Sequence, residues 1–164
     1  MRRFVVMLAL AALATPAFAG DGQEDLFSVY AGKFEFFGQG TDKESMVLGG
    51  EYRFKDQFNG LRPVVGGFAN SDAGAYGYAG AYWDLPLGTA PFVISPGFAV
   101  GAWHEGSSKD LGSVLEFRST MEVDYEFDSG NRLGVALSHI SNAGIGSKNP
   151  GVETFQAVFN KALY

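Results

Sequence analysis

Residues 115–127 read LEFRSTMEVDYEF, and parity splits them into two opposite chemistries. The odd positions are Leu115, Phe117, Ser119, Met121, Val123, Tyr125 and Phe127; the even ones are Glu116, Arg118, Thr120, Glu122, Asp124 and Glu126. Successive side chains of a strand point to opposite faces, so as a strand this segment has one greasy wall and one charged wall. Soluble sandwiches and transmembrane barrels both alternate in this way. The number and spacing of similar segments must therefore decide.

Similar segments recur along the chain. Strands are predicted over 26–37, 44–54, 61–69, 73–85, 90–103, 114–127, 132–141 and 153–163, separated by turn residues. Gly (23) and Phe (15) are abundant, no segment has the length and period of a helix, and no later stretch is apolar enough to span a bilayer as one. Weak alternation of this kind, eight times over, is the signature of an all-β, eight-stranded antiparallel transmembrane β-barrel. Closure leaves no unpaired edge for lipid to face. An even strand count returns both ends to the periplasmic side. The connections at 38–42, 70–72, 104–112 and 142–151 then face outward, and those at 55–60, 86–89 and 128–131 face the periplasm.

The start of the chain fits this setting. Met1-Arg2-Arg3, the apolar run 4–14 and Ala17-Phe18-Ala19 read as a secretory signal peptide over 1–19, leaving 20–164 as one barrel domain. Without Arg2 and Arg3 the chain carries 10 basic against 18 acidic residues, a formal charge of −8. That balance excludes a nucleic-acid partner, which needs Lys and Arg for its phosphates. With no Cys, neither disulfides nor thiolate metal sites hold the fold.

Parity also places a candidate site. Over 132–141, Leu133, Val135, Leu137, His139 and Ser141 share a face, and Arg132, Gly134, Ala136 and Ser138 take the other. On the returning strand Glu153 lines up with Phe155, Ala157 and Phe159. His139, Ser141 and Glu153 therefore fall on the lipid side at the outer end. Ser needs a base to accept its proton, and a carboxylate orients the imidazole and stabilises its cation. The intervening loop hides the register between His139 and Glu153. Each residue also has a plain reading: rim polar group for His139, loop start for Ser141 and Asn142, interfacial carboxylate for Glu153.

At residues 117–155, FRSTMEVDYEFDSGNRLGVALSHISNAGIGSKNPGVETF, the chain resembles the lipid A 3-O-deacylases of Gram-negative outer membranes. The matching elements are a His-x-Ser-Asn stretch, His139 to Asn142, then Asn149 in a loop, then Glu153. The resemblance implies that His139 is the base, Ser141 the nucleophile and Glu153 the orienting carboxylate. It further implies that Asn142, Gly144 and Asn149 shape the oxyanion region and that Phe117 walls the acyl groove. Lipid A of lipopolysaccharide would be the substrate and outer-membrane lipid the surroundings, with no metal or organic cofactor; a homodimer stays open. A noncatalytic barrel, adhesive or structural, and a related phospholipase or lipid A acyltransferase are the alternatives. His104 reads as a loop residue, and residues 144–148 as a surface loop that lacks a full phosphate-loop motif. Trp83, Trp103, Tyr82 and Tyr164 read as interfacial girdle residues, and the even-numbered charges of 115–127 as a packed network inside a narrow barrel.

Overall fold

A computed structural model of the chain describes residues 24–37 and 45–164. The expected leader and the outward connection at 38–42 lie outside them. The strands are β1 (Asp25–Phe34), β2 (Ser45–Arg53), β3 (Leu61–Asn70), β4 (Ala75–Trp83), β5 (Leu85–Pro86), β6 (Phe92–His104), β7 (Leu115–Glu126), β8 (Arg132–Ser141) and β9 (Val152–Leu163). β5 continues β4 past Asp84, and both pair with β6, so the wall has eight staves. Every pairing is antiparallel, and the β1–β9 and β4–β6 ladders close the sheet on itself. The fold is the expected eight-stranded barrel.

Two strand ends differ from expectation for local reasons. β1 stops at Phe34 because Glu35 adopts a left-handed φ of 59° and tucks its carboxylate inward against Lys109. The expected strand 73–85 breaks at Asp84, whose side chain turns into the barrel to accept bonds from Arg62 (2.7 Å), Arg132 (2.7 Å) and Ser95 (2.9 Å).

The interior has two chemistries. Near the outer mouth aromatic and aliphatic side chains predominate: Phe34 stacks on Trp103 at 5.4 Å, with Phe68, Leu111, Ile140 and Val152 around them. Deeper in, Arg53 bonds Glu51 and Glu122, each at 2.6 Å, and lies over the Tyr82 ring at 3.9 Å. Arg118 reaches Ser138 and stands over Tyr78, whose hydroxyl bonds Glu51. Buried ions survive only when paired, because each loses several kcal/mol of hydration. Of the charged set of 115–127, Arg118, Glu122 and Asp124 join this network and half-exposed Glu126 is bonded to Arg132, whereas buried Glu116 lies apart from it at the start of β7.

The same network corrects the girdle assignment. Trp83 and Tyr164 face outward, but Tyr82 and Trp103 are buried inside the barrel. On β4 the polarity of size is inverted: Tyr76, Tyr78 and Tyr82 point in, while Ala75, Gly77 and Ala79 point out. Eight strands enclose a lumen that side chains must fill, and tyrosine fills it while offering a hydroxyl to the buried ions. Outside, Phe27, Leu48, Phe98, Met121, Leu133 and Phe159 belong to a broad exposed apolar belt. A patch of that extent calls for lipid rather than water.

Candidate functional site

β8 is bounded as its sequence predicts, so its parity holds: His139 faces outward and Ser138 is buried. The register supplies what the sequence hid. His139 stands directly opposite Glu153 on β9, Ser119 opposite His139 on β7, and Phe117 opposite Ser141. Directly opposed residues bring their Cβ atoms to roughly 5 Å. Three neighbouring strands thus deliver one row of groups to one spot on the outer wall.

The contacts follow from that row. His139 Nδ1 lies 3.0 Å from Glu153 Oε1, with the two side chains 48% and 37% exposed. Phe98, Phe117, Ser119, His139, Ser141 and Ala143 line an open groove of about 290 Å³. Phe98 and Phe117 stack at 6.0 Å and form its apolar wall. Ser141 shares the groove with His139. Ester-cleaving pairs often draw together only once substrate is bound.

The loop from β8 to β9 is tied down from beneath. Asn142 is fully buried; its Nδ2 donates to the Leu111 and Lys148 carbonyls, each at 2.8 Å, and its Oδ1 accepts the Gly144 N–H at 2.9 Å. Its own N–H donates to Asn149 Oδ1 at 3.1 Å. Asn142 is thereby a staple joining the two long outer loops. Lys148 pairs with Asp110 at 2.7 Å across the same junction. That hydrogen bond, with the Gly112 N–H bonded to the carboxylate, holds the Asp110 carboxyl below its ordinary value.

The structure thus brings His139, Ser141, Glu153 and Phe117 to one surface, and places Asn142, Gly144 and Asn149 in the adjoining loop. Asn142 sits under that surface, not on it. Sequence reading missed Phe98, Ser119 and Ala143 as groove residues. Ser119 and Phe98 carried a signal, a shared outward parity, but only the β6–β7–β8 register puts them beside His139. His104, read as a loop residue, ends β6 opposite Ala75.

Comparison with known proteins adds a lineage. The family described as lipid A 3-O-deacylase (PagL) matches residues 46–162. A lipid A deacylase PagL of Bordetella bronchiseptica (strain ATCC BAA-588 / NCTC 13252 / RB50) is 31% identical over 70 residues, 42% of this chain. That stretch spans only 39% of the Bordetella protein. Among solved structures, the outer membrane enzyme PagL superposes with a TM-score of 0.60 at 20% identity, covering 84% of this chain and 99% of that one. Neisserial surface protein A gives 0.61 at 13% identity, over 85% of this chain and 97% of that one. The last two likenesses are of fold alone.

Proposed function

The chain belongs to the lipid A 3-O-deacylase family, and on that premise we propose that it is a serine esterase of the outer membrane that removes the 3-O-linked acyl chain from lipid A. The observation that carries the reading is the His139–Glu153 contact of 3.0 Å in the groove that Ser141 lines, on the lipid face of the barrel. Fold alone would not carry it, since small barrels host unrelated functions.

The chemistry follows from the placement. With Nδ1–H donated to Glu153, His139 presents the Nε2 lone pair toward the groove. Ser141 Oγ attacks the ester carbonyl as its proton passes to Nε2, and Glu153 stabilises the resulting imidazolium. Collapse of the tetrahedral intermediate expels the sugar hydroxyl, which takes the proton back from His139. Water, deprotonated by the same base, then releases the fatty acid from Ser141. The loop of Gly144 and Asn149 shapes the oxyanion region, with Asn142 holding that loop in place and Phe117 guiding the acyl chain. The groove opens sideways, so substrate enters from the outer leaflet. The leader at 1–19 is removed on export.

The test is product analysis with the purified barrel in mixed vesicles. Lipid A should lose one ester-linked acyl chain, phosphatidylethanolamine in the same vesicles should stay intact, and Ser141→Ala should stop the release. Phospholipid cleavage in place of lipid A cleavage would move the protein to a phospholipase. A folded barrel inert towards both would leave a noncatalytic role.

A further inference from the structure

Gly151, the residue before β9, is buried and has a φ of 64°. Glycine enters that left-handed region without steric cost, so backbone conformation alone would account for it. The space around it asks for more. A Cβ at Gly151 would lie 2.8 Å from His139 Cε1 and 3.4 Å from His139 Nε2, with the Ile140 carbonyl oxygen at 3.5 Å. Carbon atoms in contact prefer about 3.5–4.0 Å, so a methyl there would force the imidazole back by roughly 1 Å. Cε1 lies between the two ring nitrogens. The bare backbone of Gly151 therefore rests against the ring edge that carries both Nδ1, which is bonded to Glu153, and Nε2.

We infer that Gly151 is a positioning residue for the base: the missing side chain lets the His139 ring seat against the loop, with Nδ1 on Glu153 and Nε2 aimed at Ser141. The inference rests on the esterase reading and deepens it. The β8–β9 loop leaves β8 at Ser141 and re-enters β9 through Gly151, so one loop sets the nucleophile at its start and the imidazole at its end. Asn142 anchors the first end; the close approach at Gly151 is the second anchor. A side chain at 151 would press the ring away from the loop and toward the groove that the acyl chain occupies. Nε2 would lose its line to Ser141 while the apolar wall of Phe98 and Phe117 stayed in place. The loss is therefore expected in kcat and in the reactivity of Ser141, with KM little changed.

Two variants separate the contact from backbone strain. Gly151→Asn adds a Cβ through a residue that tolerates a left-handed φ; Gly151→Ala adds the same Cβ with more strain. Gly88→Ala is the strain control, since Gly88 has a φ of 60° with nothing within 4 Å, in a turn at the opposite end of the barrel. Each is compared with wild type for deacylation of lipid A and for the rate at which a fluorophosphonate labels Ser141, per folded barrel. Both Gly151 variants should lose roughly 10²-fold in kcat and in labelling, whereas Gly88→Ala should lower the unfolding midpoint and leave both rates alone. Wild-type kcat in folded Gly151→Asn, or a rate loss that tracks stability through all three variants, would overturn the inference. Should neither Gly151 variant fold, nuclear Overhauser contact between Gly151 Hα and His139 Hε1 in the wild-type barrel decides, and its absence overturns the inference. Full turnover by Ser141→Ala in the same assay would instead sink the esterase reading itself.

Discussion

Inside and outside the same three strands, one residue apart, sit two rows of hydrogen-bonding groups with opposite fates. The inner row runs Thr120, Ser138 and Thr154, with Arg118 bonding Ser138 at 3.2 Å and Thr120 bonding it at 3.0 Å. The outer row runs Ser119, His139 and Glu153, with Ser141 one outward step further on. Every residue of the inner row is buried, and Arg118, which bonds Ser138, has its counter-ion Glu51 at 3.6 Å within the lumen; the outer row has one contact, His139 to Glu153, and opens onto a groove. A buried cluster in which Ser138 joins Thr120 to Arg118 stabilises the fold. A row left open at one end can act on something that arrives from outside. Parity alone separates the two, so exchanging a residue across the wall should exchange the kind of effect.

The largest effect tests that directly. Ser141→Ala should lower lipid A deacylation by about 10⁴-fold or more with the barrel's unfolding midpoint unchanged. Ser138→Ala, three residues back along β8 on the inner face, should keep near-wild-type activity and cost about 1 kcal/mol of stability, because Arg118 and Thr120 lose a buried partner. Both are read from fatty-acid release and urea unfolding of the same samples. The reverse pattern would mean that the substrate enters the lumen.

Next in size are the two carboxylate partners. Glu153→Gln keeps the shape but withdraws the charge that orients His139, and activity should fall by roughly 10²–10⁴-fold with little change in folding. Arg53→Met does the opposite. It leaves Glu51 and Glu122 buried without their shared counter-ion, and should destabilise the barrel by about 3–5 kcal/mol while the rate per folded molecule holds. Equal stability losses in the two variants would erase the distinction between the rows.

The same contrast explains what the sequence could disclose. The bounds of β8 and the two faces of residues 115–127 were legible, because alternation between water-shunning and charged side chains is a local property. Trp103 and Tyr82 were misread because an aromatic suits both a lipid interface and a tight lumen, and only the neighbours across the barrel decide between them. The opposition of His139 and Glu153 was hidden by the ten-residue connection 142–151, which would permit several registers. Gly151 follows Pro150 and reads as a turn residue; its contact with the imidazole exists only once that register is fixed. The break at Asp84 was hidden for the same reason, since its partners Arg62 and Arg132 are 22 and 48 residues away in the chain.

The smallest effect concerns the loops that cover the open row, and it separates two causes of acid inactivation. Cleavage should be lost once the imidazole is protonated, because it can then accept no proton from Ser141. Undocking of the outer loops would also reduce activity, and the Asp110–Lys148 pair is a charged contact between two of them. The sign of the Asp110 shift assigns the cause. Its carboxyl is lowered from 3.8, first by the hydrogen bond from Lys148 and then by the Gly112 N–H. A lowered value means that the contact contributes fully above 3.8 and is lost only as the pH falls through the still lower folded value. Loop docking therefore survives at every pH above 3.8. Asp110→Asn should leave the acid limb of the pH–rate profile where it is in the wild type and leave the unfolding midpoint at neutral pH within error, because both side chains are about half-exposed and screened by salt. An acid limb that moves in Asp110→Asn would assign the loss to the loops, and the open row would then depend on its cover as much as on its own geometry.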